Sequence, residues 1–199
     1  SAVSVNVTVS GALMTTGYDR VLPDGDYVIA AAGASGQSSF YYLDIEGTSQ
    51  PAADETNVSL CGPSSGDLPS YEVWTITYNS SDKFYTIKQK GTNMALDVYK
   101  GYKAQGTNVE VYTSTSNNEA QKWAISHNGN NGYRIQAQCS GQSLDVYGGT
   151  LSNGTNVNMW SDNESNAQSW LFIPYTPSKT LADGKYVLLS ALDNSFTMD

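Results

Sequence analysis

The chain has 199 residues and sets 10 Lys and Arg against 19 Asp and Glu, a formal net charge of −9. So acidic a surface repels phosphate backbones, which argues against nucleic acid as a partner. Charged residues are 15% and apolar residues 39% of the total, unlike a charged disordered tail. No apolar run approaches the roughly 18–20 residues that cross a bilayer, so no membrane insertion is expected.

Gly, Ser, Thr, Asn and Tyr are abundant while Lys, Arg and Glu are scarce. Such a composition favours short strands joined by turns over long amphipathic helices. One histidine, His127, and two cysteines, Cys61 and Cys139, cannot build a His-rich or multi-cysteine metal site. No metal and no cofactor is therefore expected. The two cysteines could pair or stand as partly buried thiols. No P-loop, GxGxxG, HExxH or GxSxG motif occurs. A charged n-region leading into an apolar h-region is also absent, so any export signal lies outside these residues.

In chain order, Val3, Val5, Val7 and Val9 alternate and are followed by Gly11 and Gly17, which predicts one strand and a linker over residues 1–20. Three similar segments follow. The first carries Tyr27-Val28-Ile29, Leu43-Asp44-Ile45, Thr56-Asn57-Val58 and Glu72-Val73-Trp74. The second carries Tyr85-Thr86-Ile87, Leu96-Asp97-Val98, Thr107-Asn108-Val109 and Gln121-Lys122-Trp123. The third carries Tyr133-Arg134-Ile135, Leu144-Asp145-Val146, Thr155-Asn156-Val157 and Gln168-Ser169-Trp170. Four landmarks recur in one order, with tryptophans 49 and 47 residues apart. Such a period is the signature of a repeat architecture. Within each copy the apolar period is two, which predicts half-buried strands. Each unit is too small to bury its apolar face alone, and three around a common axis close a core. Residues 21–175 are read as this unit, with repeats at about 21–78, 79–127 and 128–175.

Beyond a linker bracketed by Pro174 and Pro177, Leu181-Ala182-Asp183-Gly184-Lys185-Tyr186-Val187-Leu188 copies Leu22-Pro23-Asp24-Gly25-Asp26-Tyr27-Val28-Ile29. Residues 176–199 therefore read as a linker and the truncated start of a second such unit in a longer protein.

A threefold repeat whose copies end in Gln-x-Trp and carry an earlier Leu-Asp-Val resembles the ricin-B-type lectin family. The resemblance covers roughly Val21 to Tyr175, and it implies an all-β, β-trefoil fold of three pseudosymmetric repeats. It also implies a lectin-like, carbohydrate-binding function without catalysis. In this family the sugar contacts fall on the Asp of Leu-Asp-Val, on a polar residue of a later strand, and on the aromatic two residues further on. Those positions are Asp145, Asn158 and Trp160 in the third repeat and Asp97, Glu110 and Tyr112 in the second. The first repeat has Asp44, Ser59 and Cys61, with no aromatic platform, and is expected to be inactive.

The residue types suit a saccharide independently of the resemblance. If Val157 and Met159 point inward, Asn158 and Trp160 point to the opposite face. A carboxylate, an amide and a flat apolar ring match the vicinal hydroxyls and the C–H face of a sugar. When ionised, Glu110 can only accept hydrogen bonds, so the second site is expected to bind differently or not at all. Trp74, Trp123 and Trp170 are expected in the core, with Gln121 and Gln168 bonded to nearby backbone. His127 is expected as a solvated residue of the Ser126–Asn131 loop.

Family members often place Asn directly before Gln-x-Trp, whereas Ala120 and Ala167 stand here. That departure motivates an alternative, a structural spacer or protein-interaction trefoil that has lost sugar binding. The expected setting is extracellular, secreted or at the cell surface of a bacterium, with galactose-type and xylan-type glycans both open as partners. Asn6, Asn57, Asn79, Asn153 and Asn163 head N-x-[ST] sequons, as expected by composition in a chain so rich in Asn, Ser and Thr.

Overall fold

The computed structural model describes residues 11–32, 40–47, 50–62, 72–129 and 132–176. The strand expected at Val3–Val9 and the copied segment from Leu181 lie outside these residues. Twelve strands stand among those described: β1 (Gly25–Ala31), β2 (Tyr41–Ile45), β3 (Thr56–Cys61), β4 (Trp74–Asn79), β5 (Phe84–Gln89) and β6 (Met94–Val98). The remaining six are β7 (Thr107–Thr113), β8 (Trp123–His127), β9 (Tyr133–Ala137), β10 (Ser143–Val146), β11 (Val157–Trp160) and β12 (Trp170–Pro174).

Antiparallel pairing closes six of them into a ring. β1 pairs β4, β4 pairs β5, β5 pairs β8, β8 pairs β9, β9 pairs β12, and β12 returns to β1. Closure leaves no edge in this barrel. The other six form hairpins, β2–β3, β6–β7 and β10–β11. These meet one another through β3–β7, β7–β11 and an isolated Ser59–Asn156 bridge. A barrel with three converging hairpins is an all-β, β-trefoil-like architecture.

Side-chain alternation fills the interior. Leu43, Ile45, Leu96, Val98, Leu144 and Val146 face inward with Trp74, Trp123 and Trp170, all fully or almost fully buried. Each indole N–H donates to a leucine carbonyl of its own repeat: Trp74 to Leu43 at 2.9 Å, Trp123 to Leu96 at 3.1 Å and Trp170 to Leu144 at 3.0 Å. A buried indole keeps its donor satisfied this way while contributing its large apolar area.

Where the hairpins converge, three asparagines close a ring of side-chain hydrogen bonds. Asn57 donates to Asn156 at 3.0 Å, Asn156 to Asn108 at 2.9 Å and Asn108 to Asn57 at 2.8 Å. An amide both donates and accepts, so three can satisfy one another head to tail. These are the central residues of the three Thr-Asn-Val landmarks.

Residues 11–20 form no strand; they lie as a strap tied to the second and third repeats. Gly11 N–H donates to Lys103 O at 2.7 Å, Met14 N–H to Gln138 O at 2.8 Å and Gly17 N–H to Asp82 O at 3.0 Å. The approach is close enough that a Cβ at Gly17 would collide with the Lys83 carbonyl. His127 ends β8 in register with Tyr133, whose ring lies 4.7 Å from its own, so it belongs to a strand end and not to a loop.

Asn108→Ala breaks two bonds of the half-buried asparagine ring and strands a donor on Asn156. The expected loss is about 1–2 kcal/mol of unfolding free energy, read as a lower urea midpoint at an unchanged m-value.

Candidate functional site

In the third repeat β10 and β11 pair Asp145 opposite Asn158 and Ser143 opposite Trp160. Leu144, Val146, Val157 and Met159 are turned into the core, so period two turns Asp145 and Asn158 to the other face. That face is covered. Asp145 is 7% and Asn158 only 3% exposed, at the bottom of a groove of about 560 Å3, while Trp160 at its side is 39% exposed. The expected outward orientation therefore places both polar residues on a sheltered floor.

Two short 3-10 turns build the walls. Tyr147–Gly149 follows β10 and needs left-handed backbone at Gly148 (φ 61°) and Gly149 (φ 65°), which glycine adopts without strain. Asn166–Gln168 precedes β12. Gln168 fixes the second wall by accepting from Asn163 N–H at 3.0 Å and donating to Ser161 O at 2.9 Å. It also hydrogen-bonds Asp145, opposing the burial that raises that carboxyl's pKa. Asn158 Oδ1 is buried without a hydrogen-bond partner. The Trp160 ring rests beside the neighbouring repeat's turn, where Gly106 N–H donates to Met159 O at 2.8 Å.

The second repeat reproduces the layout with a different floor. β6 and β7 pair Asp97 opposite Glu110 and Ala95 opposite Tyr112. Both carboxyls are at least 95% buried, and Tyr112 is 38% exposed. Together they line a cavity of about 540 Å3. Burial raises Asp97 to about 6 against a hydrogen bond from Gln121. Burial and then the Asp97 charge raise Glu110 to about 7. Ionised, Glu110 only accepts hydrogen bonds; raised to about 7, it holds a proton part of the time near neutrality and can then also donate.

The first repeat pairs Asp44 with Ser59 and Tyr42 with Cys61. Glu72 stands where the other repeats have glutamine, so Asp44 gains a second acid in place of an amide donor. Asp44 Oδ1 and Glu72 Oε2 are buried without partners. Burial first and Glu72 second raise Asp44 to about 7. Cys61 is a half-buried free thiol where Tyr112 and Trp160 stand in the other copies, and Cys139 is likewise free and buried.

The six residues line two grooves, Asp97, Glu110 and Tyr112 in one and Asp145, Asn158 and Trp160 in the other. Three kinds of lining residue were not foreseen: Tyr147, 63% exposed, with the amides Asn163 and Asn166 in the third groove, and Asn117 and Asn118 in the second. The signal was a Tyr after each Leu-Asp-Val, and Asn two to five residues before Gln-x-Trp instead of immediately before it. A further polar cleft of about 400 Å3 runs from His127 past the Arg134–Asp162 ion pair and shares Ser165 and Asn166 with the third groove.

Residues 70–160 match the family model of ricin-type β-trefoil lectin domain-like proteins. The chain resembles the ricin-type lectins. Among solved structures it is similar to the designed threefold-symmetric protein ThreeFoil (28% identity, TM-score 0.65, 76% of this chain and 100% of that one). It is also similar to a mosquitocidal holotoxin (22%, TM-score 0.65, 89% and 20%) and to the Macrolepiota procera ricin B-like lectin solved with lactose (21%, TM-score 0.60, 78% and 99%). The chain spans about a fifth of the length of that toxin. At 21–22% identity these two likenesses concern the fold alone. No curated protein matches the sequence.

The buried acids have a consequence for stability. Asp44 and Asp97 are raised from 3.8 and Glu110 from 4.5, so the folded chain retains protons that the unfolded chain releases. Their stabilisation is complete below about pH 4 and is lost as pH rises through 6 to 7. The melting temperature at pH 5 is expected to exceed that at pH 8 by about 4 °C or more. Asp44→Asn, which cannot ionise, should narrow the gap in a calorimetric pH series.

Proposed function

We propose that the chain is a non-catalytic carbohydrate-binding module that holds glycans in the third-repeat groove and, with different chemistry, in the second. The observation that carries this reading is the floor of the third groove. Asp145 and the unpartnered Asn158 Oδ1 stand side by side under a half-exposed Trp160. A buried acceptor without a donor is costly, and a sugar hydroxyl supplies the donor. The indole face suits the C–H patch of a pyranose, as aromatic anchors do in shallow sites. The Macrolepiota procera lectin, similar in fold, was solved with lactose, which supports a galactose-type ligand without excluding xylan-type chains.

Nothing in either groove requires a reaction. The two notable carboxyls of the second repeat correspond to an Asp and an Asn in the third, as binding subsites that diverged would. The shared Ser165–Asn166 wall offers an oligosaccharide room to continue toward Arg134. Shallow single sites bind weakly, so useful affinity comes from several sites engaging one surface. The copy of the first repeat's opening at Leu181–Leu188 supports a tandem unit in a larger secreted or cell-surface protein, which we take to be bacterial. The Gln-x-Trp repeat serves this function as scaffold.

Trp160→Ala is expected to cut retention of galactose- or xylose-bearing glycans by about tenfold or more while shifting the melting temperature little, because the ring is half exposed. A glycan array with Asp145→Ala as second variant reads this. Unchanged binding in both variants, or no binding by the parent chain, would favour the spacer or protein-interaction module instead.

A further inference from the structure

We propose that the second-repeat groove selects a hexosamine by its free ammonium group, whereas the third takes a neutral ring; this rests on the carbohydrate-binding reading above. The two grooves share their geometry, with an aspartate paired across the hairpin to a polar residue and an aromatic ring two residues on. They differ on the floor, where Glu110 stands for Asn158. Glu110 is 4% exposed, lines the 540 Å3 cavity, and makes no side-chain hydrogen bond among the described residues. A carboxyl that is sheltered, aimed into an open cavity and unbonded lacks its donor.

The surrounding charge says what kind of donor fits. Asp97 faces Glu110 from β6. Glu55 and Asp54, ahead of β3, add negative potential at Glu110, although Asp54 is occupied by the Thr113 amide and hydroxyl at 2.6 and 2.7 Å. Glu119 lines the wall before β8, and the neutral Cys139 thiol stands beside it. Against these stand Lys100 and Lys103. Lys100 eases the charge on Glu110 and lies 4.8 Å from the Tyr99 ring centroid; neither lysine makes an ion pair among the described residues. Acid is in excess. A sugar hydroxyl offers one neutral donor, whereas an ammonium offers three charged ones. Hydrogen bonds between ions are roughly twice as strong as neutral ones. The exposed Tyr112 face adds an apolar platform that also attracts cations, which a sugar ammonium can use and a bare cation uses only in part. N-acetylation removes the charge but adds an acetyl group, so galactose, with a neutral hydroxyl of similar size in place of the amine, serves as the second comparison.

Protonation of the floor abolishes the attraction. Glu110 at about 7 and Asp97 at about 6 lose their charge on acidification, so ammonium binding weakens as pH falls through that range. On the alkaline side the amine gives up its own proton, and the profile is bell-shaped.

The test is a titration of the full chain, followed by amide NMR shifts at Asn118 and Glu119 for the second groove and at Asn163 and Asn166 for the third. The probes are galactosamine, glucosamine, their N-acetyl forms, galactose, xylobiose and methylamine. The free amines are expected to bind the second groove about tenfold tighter than their acetylated forms at pH 7, with the ratio approaching one at pH 5. Glu110→Gln, and Glu110→Asn which copies the third repeat, should each abolish the preference while retaining a folded spectrum. Equal affinity for amine and acetamide, or a preference that survives both variants, overturns the inference. Methylamine matching the hexosamines overturns the sugar part of it. Shifts by neutral sugars at Asn163 and Asn166 alone overturn it while leaving the proposed function standing, and no shift by any sugar in either groove overturns both.

Discussion

The hydrogen bond from each repeat's tryptophan to a leucine carbonyl joins core to groove. Trp74, Trp123 and Trp170 donate to the leucines that immediately precede Asp44, Asp97 and Asp145. The indole is fully buried, so its N–H must find an acceptor, and the acceptor chosen fixes the strand that carries the aspartate. The leucine side chain then points inward beside the indole, and the next residue, by the pleat, points into the groove. The asparagine ring does the corresponding work at the axis, holding the second strand of each hairpin against its neighbours. Floor and wall residues are thus fixed by interactions that lie beneath them.

Because that framework does not involve the groove-facing side chains, they can diverge. At the position opposite the aspartate the three copies hold Ser59, Glu110 and Asn158, with the same register and backbone. Two residues further on they hold Cys61, Tyr112 and Trp160. The chemistry follows from those substitutions: an amide acceptor beside an indole, a pair of acids beside a phenol, and a hydroxyl beside a thiol. Packing density constrains the inward residues to large apolar types in every copy, while the outward ones opposite the aspartate are free of that constraint.

Much of the fold was legible for the same reason. Residues constrained by the core or by the axis recur, so the Leu-Asp-Val, Thr-Asn-Val and Gln-x-Trp landmarks stood out. Their spacing gave three units and their alternation gave strands. The site was legible only by face. Period two says that Asp145 and Asn158 point away from Leu144 and Met159; it does not say what lies over them. Their cover comes from Tyr147–Gly149 and Asn163–Gln168, turns whose residues vary between repeats; the first is held by backbone bonds and the second by the Gln168 side chain. The displaced asparagines escaped notice for the same reason. Asn118 caps its own turn, accepting from Ala120 N–H at 3.0 Å, so its position depends on turn geometry that carries no periodic signal.

The first repeat shows what the glutamine of Gln-x-Trp contributes. In the other copies its amide donates to the groove aspartate while also bridging the wall, and this opposes the cost of burying the carboxylate. Glu72 keeps the shape and loses the donor. Asp44 then faces desolvation and a second acid together, and its carboxyl rises to about 7, while Cys61 replaces the aromatic side. The Ile45 amide at Asp44 and the Cys61 thiol at Glu72 oppose this only in part, so the two buried acids favour the state in which at least one is protonated. The divergence of one residue, two positions before a core tryptophan, thus removes the amide donor, while the indole bond to Leu43 leaves the fold intact.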